Sequence, residues 1–200
     1  MKMKNRLRRI LRTKYLAALQ NFVPEDLAGY VRTKLFPMTE PEAHRILSGL
    51  LTAGAPFMLG GGWGVSAVTG GHQRRHSDLD LIVPAADFPE LESALDGLGY
   101  HCTVREGTGG WWAPDVSVFR TAVGDRVEIL RMSDDHFAKL TVEAESLLGR
   151  PVHERTAPGV LNELTVPCLS VELQLAAHHG YKNTRDQSGD LALLTAAITA

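Results

Sequence analysis

The sequence predicts a mixed α/β fold of the α+β class, and two observations lead to this prediction. Between residues 39 and 105, helix signals alternate with short apolar runs of strand length. Two β-rich runs follow, and the chain then ends in helical patterns. This order favours a small mixed sheet flanked by helices, with further helices at the C-terminus. The 200 residues, 44% of them hydrophobic, fit one globular domain with or without an appendage.

The first 36 residues are predicted to form a basic helical extension. A second short helix of this extension starts at Pro24 and runs to about Lys34. The helical spacing that predicts its first helix is carried by Leu7, Ile10, Leu11, Leu16 and Leu19.

The charge of the chain is unevenly distributed. Net charge is only −2, yet seven Lys or Arg residues and no acid lie between Met1 and Lys14. Such a segment can contact a membrane surface, nucleic acid or an acidic partner. The simpler interpretation is a solvated helix face that packs on the acidic body, and a nucleic-acid partner is not expected. No apolar run reaches the roughly 18 residues of a membrane span. With two cysteines and no CxxC motif, a reducing cytoplasm is the predicted compartment.

The central part of the chain is predicted to alternate helices and strands. One helix begins with Thr39 and Glu42 as a capping box, and another begins with Asp87 and Glu90. A glycine turn and a short helix at 60–68 lie between them. The predicted strands span residues 57–59, 79–83, 100–105, 116–121 and 126–130.

The remainder of the chain gives weaker signals. Residues 131–167 contain three prolines and are predicted to be irregular. Two helices are predicted after them, over 169–179 and 189–200. The chain is therefore divided into the extension, a core over 37–150 and a helical C-terminal part over 151–200.

Two acids at the start of a strand form the first candidate site. Asp78 and Asp80 lead into Leu81-Ile82-Val83, and residues i and i+2 of a strand point to one face. Two carboxylates so close repel each other unless a cation lies between them, and magnesium prefers such oxygen ligands. The alternative is a solvent-exposed strand entry in which one aspartate caps a turn.

A glycine-rich turn upstream favours the metal interpretation. Gly61 and Gly62 lie between a predicted strand and a predicted helix, where backbone amides can approach an anion. Arg74, Arg75 and His76 lie between this turn and the two aspartates, and they could neutralise further phosphate charge. The combination predicts a phosphate cradle beside a metal site.

The stretch GGWGVSAVTGGHQRRHSDLDLIV resembles the signature of the aminoglycoside and lincosamide nucleotidyltransferases, within the DNA polymerase beta-like nucleotidyltransferase superfamily. The resemblance covers residues 40–130 well and residues 167–194 more weakly. The positions that match the family pattern are Gly61, Gly62, Trp63, Gly70, Arg74, His76, Asp78, Leu79 and Asp80.

This resemblance implies a nucleotidyltransferase fold for the core and an Mg²⁺-dependent reaction. A nucleoside monophosphate would pass from an NTP, with ATP favoured, to a hydroxyl of a small molecule such as an aminoglycoside- or lincosamide-like antibiotic. Two metal ions are expected. The alternatives are nucleotidylation of a protein or tRNA, and a catalytically silent nucleotide-binding module.

The resemblance also implies roles for single residues. Asp78 and Asp80 would bind the metal, and Glu128 on a later strand would complete the site and act as base. The alternative for Glu128 is a solvent-facing side chain paired with Arg126 or Arg131. The residues expected to bind the nucleotide are Gly61, Gly62, Arg74 and Lys182, the last of which could instead be an ordinary helix-terminal lysine.

The sequence departs from the family pattern at three positions. Ser66 stands where the family usually has an acid, and Gln73 stands in place of a threonine. Glu128 replaces the commoner aspartate and is one methylene longer. These departures leave the predicted metal pair intact, but Ser66 implies that acceptor choice differs.

Overall fold

The computed structural model describes residues 37–70, 74–107, 115–122, 125–179 and 185–199. The predicted extension over 1–36 and Lys182 lie outside the described residues. The helices are α1 Glu40–Ala53, α2 Gly61–Thr69, α3 Phe88–Gly97, α4 Asp134–Leu148, α5 Val171–His179 and α6 Arg185–Thr199, with a 3-10 turn at Ala85–Asp87. The strands are β1 Met58–Leu59, β2 Leu79–Pro84, β3 His101–Gly107, β4 Asp115–Arg120, β5 Arg126–Met132, β6 Thr156–Leu161 and β7 Leu164–Leu169.

The described strands form one mixed sheet in the order β3-β4-β5-β2-β1-β7-β6. The central strand β2 runs parallel to β5 and antiparallel to β1, while β1 and β7 are parallel. The outer pairs, β3 with β4 and β6 with β7, are antiparallel. The predicted α+β class with a mixed sheet flanked by helices is therefore confirmed.

Alternation along β2 sends its side chains into two separate cores. Leu79, Leu81 and Val83 face α1 and α3 in the larger apolar cluster. Ile82, on the other face, joins a second cluster with residues of β5, α4 and α5. Asp80 shares the face of Ile82, so the strand that anchors both cores also carries an acid to the α5 side of the sheet.

The prediction that residues 131–167 are irregular is wrong. Helix α4 occupies the first half of this range, and its cap is Ser133, whose hydroxyl accepts from the amide of His136 at 3.3 Å. The buried positions of α4 have helical spacing, at Phe137, Leu140 and Ala144. The prolines of the range all lie beyond the C-terminus of this helix, so they do not interrupt it.

Two of the three prolines are accommodated in a hairpin. Pro158 of β6 and Pro167 of β7 lie directly opposite each other, so both missing N–H donors fall at one position of the ladder. Asn162 and Glu163 form its two-residue turn, with φ angles of 46° and 67°. The segment 151–200, expected to be helical, thus contributes two strands to the sheet before α5 and α6. The division of the chain at residue 150 stays a prediction.

The turn gives a direct test of backbone strain. Glu163 is exposed and holds a left-handed φ of 67°, which is unfavourable for any residue with a Cβ. We expect Glu163→Gly to raise the free energy of unfolding by about 0.5–1 kcal/mol, because the relief of strain exceeds the entropy that glycine adds to the unfolded chain. Glu163→Ala, which keeps the Cβ, should lie within about 0.5 kcal/mol of wild type. Denaturant titration measures both, and equal values for the two variants would contradict the strain argument.

None of the described helices is long and apolar enough to cross a membrane.

Candidate active site

A pocket of about 350 Å³ opens on the α5 side of the sheet, where β2 meets the start of α2. Its lining is divided along β2: acids come first, at Asp78 and Asp80, and Ile82 follows on the same face. Leu130 of β5 lies beside that apolar part, and Ala177 of α5 also lines the pocket. The pocket therefore offers a charged region and an apolar region to one ligand.

The two aspartates come together as the sequence predicts. Both line the pocket, and Asp78 affects the ionisation of Asp80 directly. Burial, and then the negative charge of Asp78, raise the pKa of the Asp80 carboxyl above its usual range, while the cations Arg126 and Arg74 act in the opposite direction. A site that disfavours its own negative charge in this way stabilises an added cation.

The third carboxylate lies next to this pair and is engaged by an arginine. Glu128 of β5 is the direct partner of Asp80 in the parallel ladder. Its carboxylate forms an ion pair with Arg126, whose Nη1 lies 3.4 Å from Asp78 Oδ2. Among the described residues, no group of three His, Cys, Asp or Glu side chains is arranged to hold a metal ion. The roles expected for Glu128 as ligand and base stay predictions.

Glycines let the acids approach the start of α2. Gly60 donates its amide to the carbonyl of Asp80 at 3.0 Å, which brings β1 and β2 together at this point. Helix α2 then begins at Gly61, inside the predicted glycine turn, with a left-handed φ of 55°. A Cβ at Gly61 would collide with the Asp80 carboxylate, and a Cβ at Gly62 would collide with the His76 ring and lie 2.7 Å from Arg74 Nη2. The backbone of the first turn of α2, whose first amides lack partners within the helix, therefore lies against Asp80, His76 and Arg74.

Arg74 lies in the pocket, and a partner that the sequence does not predict holds it there. Asp190 of α6 accepts from Arg74 Nε at 3.1 Å and from Nη2 at 2.6 Å. Asp190 is buried, and His178 of α5 places its Nε2 3.8 Å from the same carboxylate. The only sequence signal for this partner is an acid at the start of the predicted last helix, 189–200, whose other residues are glycine, threonine or apolar.

His76 has a different role from the one expected. Its ring is 4% exposed and packs on Trp63, with the ring centroids 4.8 Å apart. Burial, and then the nearby Arg74 cation, lower the pKa of His76 to about 3. The imidazole is therefore neutral near pH 7, and the expectation that His76 neutralises phosphate charge is wrong.

Ser66, which stands where the family pattern has an acid, is buried within α2. Its hydroxyl donates to the carbonyl of Gly62 at 3.0 Å. The side chain is thus used within the helix, one turn after the glycine cradle, and it brings no charge to the site.

Comparison with known proteins decides the family. A family model described as aminoglycoside-2''-adenylyltransferase matches residues 42–194, which is most of the chain. The chain belongs to the aminoglycoside-2''-adenylyltransferase family. The predicted family and the predicted class of enzyme, a nucleotidyltransferase, are confirmed.

Several individual proteins and solved structures also resemble the chain. A lincosamide resistance protein of Staphylococcus haemolyticus is 28% identical over 158 residues, which cover 77% of this chain and 92% of that protein. A 2''-aminoglycoside nucleotidyltransferase of Escherichia coli is 38% identical over 56 residues, or 28% of this chain and 32% of that protein. The crystal structure of the lincosamide antibiotic adenylyltransferase LnuA with lincomycin bound superposes with a TM-score of 0.58 at 26% identity, covering 80% of this chain and 99% of LnuA.

Proposed function

We propose that this enzyme transfers the adenylyl group of ATP to a hydroxyl group of a lincosamide-like antibiotic. The observation that carries the proposal is one pocket in which two neighbouring carboxylates meet the glycine-rich start of a helix and an arginine. Carboxylates suit a divalent cation, while helix amides and a guanidinium suit phosphate oxygens. A nucleoside triphosphate bound with a metal ion needs both sets in one place.

The donor set fits magnesium. Asp78 and Asp80 supply hard oxygen ligands, and the raised pKa of the Asp80 carboxyl reflects a negative charge that burial and Asp78 make unfavourable in the absence of a cation. We propose that these two side chains hold Mg²⁺ and that two ions bind. Once bound, the metal would neutralise the charge that develops on the phosphoryl oxygens.

The chain's own residues would do the remaining work by positioning. The amides at Gly61 and Gly62 would bind the β- and γ-phosphates, and Arg74 would add a positive charge at the same place. Glu128, one strand away from Asp80, would accept the proton of the acceptor hydroxyl when Arg126 releases it. Lys182 would reach the phosphates from the segment between α5 and α6.

The acceptor is proposed from the relatives and from the shape of the pocket. The relatives that match most of the chain at 26–28% identity are named for lincosamides, whereas the match to the aminoglycoside enzyme of Escherichia coli covers 28% of the chain. The family model over residues 42–194 is described for aminoglycosides, which are therefore the second candidate class. Aminoglycosides are strongly cationic and largely polar. The apolar part of the pocket, at Ile82, Leu130 and Ala177, accommodates a less polar molecule more readily. We therefore rank lincosamides first and aminoglycosides second.

We further propose residues 37–150 as the catalytic core and residues 151–200 as the part that completes the pocket. Asp190, His178 and Ala177 line the pocket from this C-terminal part.

We propose the cytoplasm as the compartment of the protein. Both cysteines are free, which is consistent with a reducing compartment.

The test is incubation with Mg²⁺, each of the four NTPs in turn, and panels of lincosamides and aminoglycosides, with adducts detected by mass spectrometry. We expect an adenylyl adduct on a lincosamide with ATP, and none in EDTA. An adduct on aminoglycosides alone would reverse the ranking. Nucleotide binding without any adduct, including on protein and tRNA, would leave only a nucleotide-binding module.

A further inference from the structure

The ion pair between Arg74 and Asp190 joins the proposed nucleotide pocket to the last helix, α6. Two parallel hydrogen bonds link Arg74 Nε and Nη2 to the two oxygens of Asp190, at 3.1 and 2.6 Å. This bidentate arrangement fixes the plane of the guanidinium as well as its position. A single contact or a lysine would fix the position alone.

Asp190 is built into the protein as an anchor. It is 4% exposed, and a carboxylate so buried is stable only when it is well paired. His178 stands on its other side, with Nε2 3.8 Å from Oδ2, and His178 is itself oriented by the hydrogen bond that its Nδ1 donates to the carbonyl of Gln174 at 2.8 Å. Burial lowers the pKa of His178, so the cation that Asp190 binds is Arg74.

The anchored guanidinium is placed against the glycine cradle. Arg74 Nη2 lies 2.7 Å from the point that a Cβ of Gly62 would occupy, so the group lies beside the first turn of α2, next to the ring of His76. The same Nη2 donates to Asp190, which lines the same pocket. Arg74 therefore contacts its anchor and adjoins the helix turn whose amides are proposed to bind phosphate.

An acid beside a proposed phosphate site needs an explanation, because it offsets part of the positive charge there. A free arginine side chain loses about 2 kcal/mol of rotamer entropy when it is fixed. If Asp190 has already fixed Arg74 before the nucleotide arrives, this loss does not weaken nucleotide binding. The geometry thus points to pre-organisation of the site.

We infer that Asp190 is a positioning residue for the nucleotide site, which holds the guanidinium of Arg74 against the N-terminus of α2 so that it meets the triphosphate. The inference rests on the proposed function, and it assigns to α6 a part in nucleotide binding. Asp190 would act through Arg74, and the inference includes no direct contact between Asp190 and the nucleotide.

The first experiment is calorimetric titration of the full chain with tripolyphosphate and with a non-hydrolysable ATP analogue. We expect Asp190→Asn and Arg74→Ala each to weaken binding by about tenfold or more, as for loss of a charged hydrogen bond. The double variant should bind no more weakly than Arg74→Ala alone, because Asp190 acts through Arg74. Kinetically, Asp190→Asn should raise KM for ATP more than it lowers kcat.

A matched control removes an acid from a surface ion pair. Asp134, at the start of α4, lies 3.1 Å from Arg155 Nη1, with its side chain 92% exposed. Asp134→Asn breaks an acid–arginine pair outside the pocket, and we expect unchanged tripolyphosphate binding.

Chemical rescue separates positioning from mere structural support. Millimolar guanidinium ion, far below denaturing concentrations, should restore part of the tripolyphosphate binding that Arg74→Ala loses, because Asp190 remains to hold the ion. The same addition should restore nothing in the double variant with Asp190→Asn. An acid that only attached α6 to the core would not give this difference.

The outcomes distinguish this inference from the proposed function. If Asp190→Asn bound tripolyphosphate as wild type does while Arg74→Ala bound it weakly, the inference would be overturned and the proposed function would stand. The same conclusion would follow if guanidinium ion restored binding equally in Arg74→Ala and in the double variant. Wild-type protein that binds neither ligand would remove the proposed function and the inference with it. Should Asp190→Asn not fold, Arg74→Lys replaces it: lysine keeps the charge without the bidentate contact, and wild-type binding by that variant would overturn the inference.

Discussion

Replacement of Asp80 by asparagine is expected to abolish turnover while leaving the fold intact. The substitution keeps the shape of the side chain but removes one of the two negative charges proposed to hold magnesium. Metal neutralisation of phosphoryl charge contributes several kcal/mol to such reactions, so we expect kcat to fall by about 10³-fold or more. The measurement is adenylyl transfer to the best acceptor, and Asp134→Asn serves as the control of equal charge change at the surface.

Stability should respond to the same substitution in the opposite direction. In EDTA, the half-buried carboxylate of Asp80 is repelled by the charge of Asp78, and a neutral amide removes that repulsion. We therefore expect the thermal midpoint of Asp80→Asn in EDTA to equal or exceed that of wild type. Added Mg²⁺ should raise the midpoint of wild type by mass action and leave the variant unchanged. A variant that still gains stability from Mg²⁺, or that melts well below wild type in EDTA, would argue against Asp80 as a ligand.

The sequence is sufficient where local rules govern the geometry. Residues two apart in a strand share a face, so the amino-acid pattern alone places Asp78 and Asp80 together. Three glycines after an apolar run predict a close approach of backbone to charged groups, and Gly61 and Gly62 do adjoin Asp80 and Arg74. Both features depend on short stretches of chain that fold according to their own periodicity.

The sequence is insufficient where the site depends on contacts between distant segments. Arg74 and Asp190 are 116 residues apart, and no period or motif links them. Side-chain partners of this kind follow from tertiary packing. The pairing of Glu128 with Arg126 is different, because these two residues lie two apart on β5 and share a face, whereas Arg131 is three residues from Glu128.

The hairpin of β6 and β7 shows a different reason for failure. Pro158 and Pro167 each predict an interruption when considered singly, yet they lie opposite each other in the hairpin at the edge of the sheet, and proline is tolerated in an edge strand such as β6. The turn at Asn162 and Glu163 lacks the glycine that normally marks a two-residue hairpin. Single-residue signals are therefore misleading here because the place of a strand in the sheet is not visible in its own sequence.

Replacement of Gly61 by alanine is expected to damage both stability and catalysis, for separate reasons. The backbone of Gly61 has a φ of 55°, and a left-handed conformation costs a residue with a Cβ about 1–2 kcal/mol. In addition, the new Cβ would collide with the Asp80 carboxylate and displace it. We expect the free energy of unfolding to fall by about 1–3 kcal/mol and kcat to fall by about 100-fold or more, since small displacements of a catalytic group have effects of that size.

A second glycine of the same helix separates the two effects. Gly70, at the C-cap of α2, has a φ of 60°, yet a Cβ there would meet no atom of the described residues within 4 Å. Gly70→Ala therefore carries the backbone strain of Gly61→Ala without its collision, and it should lose about 1–2 kcal/mol of stability with kcat unchanged. Denaturant titration and adenylyl transfer on both variants complete the comparison. If Gly70→Ala lost activity as severely as Gly61→Ala, strain in α2 would explain the loss, and the contact between Gly61 and Asp80 would have no special part in catalysis.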